Sequence, residues 1–175
     1  MDTIDTGLLM LRLLLGLTMV AHGYGKFFRG GRISGTASWF DGMGMRPGRV
    51  HAWLAGLTEV GAGIALALGM FTPFAVTGFV ALMFVAAWTV HRGKGFFVAA
   101  DGWEYNLVLA GGAVIVAIMG AGKVSLDRLI FGGDMLDGWV GGAIALAGGL
   151  TAAGVLLGMC YRPASEQGDE SIARP

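Results

Sequence analysis

The sequence predicts an all-α membrane protein, on three observations. Of 175 residues, 55% are hydrophobic and 14% charged, against about 25% charged in a soluble domain, and the mean hydropathy is +0.68. Five apolar runs recur, at about 8–28, 50–70, 74–91, 105–122 and 139–161. Each is close to the ~20 residues that cross a ~30 Å hydrocarbon core. The 32 glycines, which would loosen a chain in water, read in lipid as small residues that let helix backbones approach closely. One integral membrane domain over 1–160 and a polar, disordered tail over 162–175 follow. The net charge is zero with no charged block, so the bilayer is the expected partner and nothing invites nucleic acid.

The first run, Leu8 to Phe28, is read as a retained helix. Its leader MDTIDTG is acidic where a signal peptide is basic, and no small-x-small site closes it. The run carries Arg12, His22 and Lys26. A charge at the bilayer centre costs roughly 2.5–3.5 kcal/mol, so such residues turn toward other helices or a wet cavity. At ~100° per residue Arg12, Gly16, Met19, Gly23 and Lys26 share one face, with His22 at its edge. The polar stretch after Phe28 admits either a short interfacial helix over Thr36 to Met45, with Trp39 at the headgroups, or an irregular loop.

The second run has a single charge, Glu59, on a face with Gly56 and Gly63, and Thr72-Pro73 is expected to break the chain after it. The third run ends at His91. Glu104, Tyr105 and Asn106 open the fourth, and 123–137 reads as a polar connector. In the fifth, Gly138/Gly142 and Gly154/Gly158 form GxxxG pairs suited to helix association. Helix alternation puts nine basic residues (Lys26, Arg29, Arg32, Arg46, Arg49, Arg92, Lys94, Arg162, Arg174) on one side and two (Lys123, Arg128) on the other. The positive-inside rule then places the N-terminus outside and the C-terminus in the cytoplasm.

Counted at ~1.5 Å per residue from the inner ends, His22 lies roughly 9 Å deep and Glu59 roughly 13 Å deep, within reach of each other. Arg12 is nearer the outer surface, with a side chain long enough to extend inward. Two readings of Glu59 stay open. One is a proton-handling or ligand-binding carboxylate supported by Arg12 or His22; the other is a register-fixing bridge to Arg12 or Lys26. His22 is a proton relay, haem ligand or quinone hydrogen-bond donor, or a helix–helix hydrogen bond. His51 and His91 sit at helix ends, where a solvated histidine is the commoner case. The candidate catalytic set is Glu59, His22 and Arg12, and the candidate cofactor-binding set is His22, Lys26, His91 and Glu104. No metal site is expected, since HExxH and CxxC are absent and Cys160 is the single cysteine. No cofactor is named by the sequence. A quinone headgroup suits the polar face, and the histidine spacing does not demand a haem.

Arg12-x3-Gly16, His22-Gly23-x2-Lys26, Glu59-x3-Gly63, His91 and Gly120-x-Gly122-Lys123-x-Ser125-Leu126-Asp127 occur in this order. The set, spanning Leu8 to Asp127, resembles the DoxX family of small bacterial membrane proteins. The resemblance implies a compact four-helix transmembrane bundle in the bacterial cell membrane, to which the fifth run adds a C-terminal transmembrane helix. The family is similar to the DoxD subunit of thiosulfate:quinone oxidoreductase, and its members are described as subunits of membrane redox or oxidative-stress complexes. By position its marked polar residues fall on Arg12, His22, Lys26, Glu59 and His91. The leading expectation is a subunit linked to membrane redox metabolism, an oxidoreductase of the quinone-linked type if it is an enzyme. Its partner would be a larger membrane complex or a soluble redox protein on the cytoplasmic side. The alternatives are a non-catalytic scaffold or accessory subunit docking a larger complex and, last, a small-solute or lipid transporter.

Overall fold

The computed structural model describes residues 2–133 and 136–163. Helix α1 spans Thr3–Phe28 and begins under the Asp2 carboxylate, which accepts from the Asp5 amide at 2.9 Å. Its buried face is Asp5, Leu8, Arg12, Leu15, Gly16, Met19 and Gly23, the expected polar and glycine-lined face. A shorter helix, α2, covers Arg32–Gly42, so the first polar stretch is helical, starting earlier than expected. Then come α3, Gly48–Leu68, and α4, Thr72–Ala86, which continues through a π-helical turn at Ala87–His91 and a 3-10 turn at Arg92–Lys94. The expected break after the second run occurs: α3 ends at Leu68, and Thr72 and Pro73 begin α4, where a proline in the first turn has no intrahelical bond to lose.

Helix α5, Glu104–Met119, is followed by a single-turn helix, α6, at Leu126–Phe131, inside what read as a plain connector. Last is α7, Gly138–Cys160. The segments Thr3–Phe28, Gly48–Leu68, Thr72–Lys94 and Gly138–Cys160 are long and apolar enough to cross a membrane, and α5 is a shorter apolar helix. The expected disordered tail lies, from residue 164 onward, outside the described residues.

Two close helix pairs organise the fold. Helices α1 and α3 meet through reciprocal glycines. A β-carbon on Gly16 would stand 2.5 Å from the Gly63 carbonyl oxygen, and one on Gly63 would stand 2.7 Å from that of Gly16. Gly16→Ala therefore meets backbone that cannot rotate away, and should lower the unfolding free energy by about 1–3 kcal/mol. Equilibrium unfolding in mixed micelles measures it. Gly61→Ala on the facing helix α3, where a β-carbon meets open space, serves as the control expected to hold or gain stability.

The second pair is α4 with α7. Here the buried face is Gly141, Gly142, Ala145, Gly149 and Ala153. Of the expected GxxxG residues, Gly142 makes a close approach, to Ile118 of α5, whereas β-carbons at Gly138, Gly154 and Gly158 would meet open space; toward α4 the close approach is at Gly149, where a β-carbon would stand 2.5 Å from Val80 Cβ. The larger core gathers Leu15, Leu66, Val76, Phe79, Ala113 and Val116 from α1, α3, α4 and α5. A smaller core sets Ala37 and Phe40 of α2 and Met45 against Ala52, with Leu156 and Tyr161 packed on it. There the α2–α3 loop is latched to the end of α7: Met45 bridges Tyr161, Arg46 N–H donates to Cys160 O at 3.2 Å, and Arg162 N–H donates to Gly44 O at 2.8 Å.

Candidate ligand cavity and its ion pair

Lys26 and Glu59 form the centre of the candidate site. Lys26 lies in the last turn of α1 and Glu59 in the middle of α3. Gly23 and Gly56 let the two helices approach at this level, where a β-carbon on Gly23 would stand 3.0 Å from Glu59 Cβ and 3.1 Å from Gly56 O. The Lys26 ammonium donates to both carboxylate oxygens of Glu59, at 2.5 and 2.6 Å. Glu59 is only 3% exposed. A carboxylate this far from water needs such a partner, since attraction and desolvation are both large in a low-dielectric setting.

The pair lines a cavity of about 360 Å³ between α3, α4 and α7, closed at one end by Trp39 and Phe40 of α2. The walls are mostly apolar, and Thr58, Thr77, Thr89 and His51 add polar groups. This is the size and make-up of a small-molecule site: apolar walls with a few convergent polar groups. His51 is buried. Its Nε2 faces Arg46 O at 3.3 Å, and its Nδ1 has no hydrogen-bond partner among the described residues. A solvated role was the expectation for His51, and the fold corrects it because α2 folds back over the start of α3. The sequence signal was present: 51, 55 and 59 follow one another at i, i+4 and i+8, and all three line the cavity.

The other sequence candidates are dispersed. The expected reach of Arg12 toward Glu59 does not occur. Arg12 is fully buried near the opposite end, where Nη2 donates to Val124 O and the guanidinium lies against Gly69. Helical side chains lean toward the helix N-terminus, which carries Arg12 away from Glu59 and carries Lys26 toward it. His22 is exposed and meets Tyr105 Oη of α5 at 3.2 Å, so it tethers α1 to α5 and does not line the cavity. His91 Nδ1 contacts Asp101 O at 2.5 Å, and Glu104 accepts from Val98 N–H at 2.9 Å; both shape the 92–104 loop. Among the described residues no group of three His, Cys, Asp or Glu is arranged to hold a metal ion.

The Gly122-Lys123-x-Ser125-Leu126-Asp127 segment is a clasp at the Arg12 end. The buried Asp127 carboxylate accepts from Phe71 N at 2.7 Å, Thr72 N at 3.0 Å and Thr72 Oγ1 at 2.8 Å, capping α4, while Asp127 N–H donates to Gly69 O at 2.8 Å. Gly69 ends α3 at φ +64°, and a β-carbon there would overlap the Arg12 guanidinium. Lys123 ties this segment to the start of α1, with Nζ 2.8 Å from Asp2 and 3.2 Å from Asp5.

The Asp5 amide and the neighbouring Lys123 ammonium hold the Asp2 carboxyl down at about 2, from an ordinary 3.8. A depressed carboxyl contributes stability above its unfolded value and loses it as pH falls through its folded value. The Asp2 contribution to the clasp should thus be complete above pH 3.8 and lost toward pH 2. Hydrogen exchange at the Asp5 amide checks this: protection falls across that window in the parent, and in Asp2→Asn the step is missing.

Closely packed apolar helices with an ion pair buried between two of them and facing a cavity define a multi-pass α-helical membrane protein with a candidate intramembrane ligand site. Residues 7–92, from α1 to the turn after α4, match the family model described as DoxX. That segment is a DoxX-family domain, and the chain is similar to DoxX-family membrane proteins. It is 29% identical over 126 residues to inner membrane protein YqjF of Escherichia coli strain K12, an alignment covering 72% of this chain and 93% of the relative. It is also 34% identical over 65 residues to an uncharacterized protein of Haemophilus influenzae, covering 37% of this chain and 43% of that one. No solved structure matches it. Lys26, His51 and Glu59 all fall inside the matched domain, whereas the α7 wall of the cavity lies beyond it.

Proposed function

We propose that this chain is the ligand-binding membrane subunit of a redox system, and that its cavity takes the headgroup of a quinone. The observation that carries the reading is that the Lys26–Glu59 pair and His51, whose Nδ1 has no hydrogen-bond partner among the described residues, line one largely apolar cavity. A quinone offers two carbonyl oxygens, acceptors only, on an apolar ring. Lys26 is a donor, and His51 Nδ1 donates to a quinone oxygen when the ring carries both protons, its Nε2–H being directed at Arg46 O; Ala81, Leu82 and Val85 provide apolar wall. Reduction to the quinol takes two electrons and two protons. The electrons come from a partner protein, and the protons pass through the Lys26–Glu59 pair. The excess of basic residues at the Lys26 end supports a cytoplasmic position for that end.

The test is purification in mild detergent, mass spectrometry of the bound small molecules, and equilibrium binding of decylubiquinone. The reading expects stoichiometric quinone, and affinity at least about tenfold weaker in His51→Leu, the loss of one good polar contact. A folded protein that binds no decylubiquinone, or a His51→Leu variant with unchanged affinity, overturns it. If that quinone-free protein co-purifies with a larger complex, the accessory-subunit reading replaces it.

A further inference from the structure

A second recess lies on the other side of α4 and shares no lining residue with the first. It is a groove of about 620 Å³ between α4, α5 and α7, walled by apolar side chains such as Met83, Leu107 and Leu146. Phe84, Leu107 and Leu150 on its rim are partly exposed, so it opens sideways toward lipid.

Its polar groups gather at one end. The Arg92 guanidinium carbon lies 4.4 Å above the Trp88 ring centroid, and Trp103 stands beside them in the lining. Arg92 has no carboxylate partner among the described residues. The nearby acids are engaged, Asp101 by Lys94 and Glu104 by the Val98 amide. One turn inside, Asn106 lines the groove at 6% exposure. Among the described residues its Nδ2 reaches only Met83 Sδ, at 3.8 Å, and its Oδ1 has no hydrogen-bond partner. A buried amide with an empty polar position costs free energy unless a ligand meets it.

We propose that this groove is a selective site for an anionic glycerophospholipid, with one acyl chain along α4 and α5, the phosphate at Arg92 and the glycerol–ester region at Asn106. The length and apolarity of the groove suit a hydrocarbon chain. The cation at its mouth, on the basic end of the molecule, selects for negative charge. The two amide atoms of Asn106 exchange by a half-turn, so the side chain serves either a glycerol hydroxyl or an ester carbonyl. The Trp88 and Trp103 indoles sit where aromatic side chains favour the headgroup level. This proposal is independent of the quinone reading.

The experiment is performed in nanodiscs with Trp39, Trp53 and Trp139 replaced by Phe, leaving Trp88 and Trp103 as reporters. Phosphatidylglycerol and phosphatidylcholine, each with brominated acyl chains, are titrated at matched mole fractions. Phosphatidylglycerol is expected to reach half-quenching at a several-fold lower fraction, Arg92→Gln to erase the difference, and Asn106→Leu to weaken the phosphatidylglycerol curve. Coincident curves in the reporter protein, or a preference that survives Arg92→Gln, mean an ordinary lipid-facing surface and overturn the proposal. Native mass spectrometry of the otherwise unaltered chain decides the same point if the reporter variant does not fold. A phosphatidylglycerol adduct should be retained in the parent and lost in Arg92→Gln, and equal retention of the two lipids overturns the site.

Discussion

Lys26→Met should lower the unfolding free energy by about 3–5 kcal/mol, the usual cost of stranding one member of a buried ion pair. The Glu59 carboxylate is held at 2.5 and 2.6 Å by the Lys26 ammonium and is 4% exposed at the side chain, so the substitution leaves its charge in apolar surroundings. The reverse change should cost less. Lys26 is 20% exposed at the side chain and two residues from the end of α1, so in Glu59→Met its flexible stem can carry the ammonium toward the interface. The double variant Lys26→Met/Glu59→Met should recover most of the loss, because a well-packed apolar pair often matches a buried ionic one. Unfolding of the four proteins in mixed micelles forms a double-mutant cycle. Equal losses in the two single variants would contradict the asymmetry.

Asp127→Ala should cost about 3 kcal/mol, the next largest effect, although the residue lies far from the candidate ligand site. The carboxylate is the shared acceptor for Phe71 N, Thr72 N and Thr72 Oγ1. Alanine leaves these donors without it at a helix N-terminus, and Thr72 and Asp127 are both buried. Asp127→Asn keeps one acceptor oxygen and should fall between. Hydrogen exchange localises the effect: the Phe71 and Thr72 amides should lose protection first, with the Gly69–Phe71 turn opening before the Lys26–Glu59 level. Uniform loss of protection along α4 would instead indicate global destabilisation.

The two variants probe opposite ends of α1. At one end a lysine and a glutamate meet beside a cavity. At the other, Arg12, Asp5 and Lys123 join the Asp127 segment to close the turns between helices. Of the marked polar residues, Lys26 and Glu59 face the cavity and Arg12 belongs to the clasp, while His22 contacts Tyr105 and His91 the 92–104 loop. Arg12 reads on paper like a partner for Glu59 and belongs to the clasp.

Part of this was legible in the chain. The α1 face of Arg12, Gly16, Met19 and Gly23 and the α3 face of Gly56, Glu59 and Gly63 follow from helical periodicity, and both are buried against each other. The Lys26–Glu59 bridge was one of the pairings the spacing allowed. His51 shares the 51/55/59 spacing with Glu59, but its burial was not legible, because what buries it is α2, whose helicity was left open. The α7 packing face was misread because GxxxG marks where a backbone can approach, whereas the contact depends on which side α4 presents. Gly149, outside the motif pairs and just as small, is the glycine that meets Val80 of α4, whereas Gly142 of the motif meets Ile118 of α5.

Local signals in the sequence carry the membrane setting, the five long apolar helices, and which side of α1 and α3 turns inward. Those properties depend on hydrophobicity and on a 3.6-residue repeat, which are local. The tertiary structure alone decided which charges are partners, which histidine is buried and where the recesses lie. Those depend on helix order around the bundle and on the direction in which side chains lean along a helix, and neither is written in the spacing of residues on one segment.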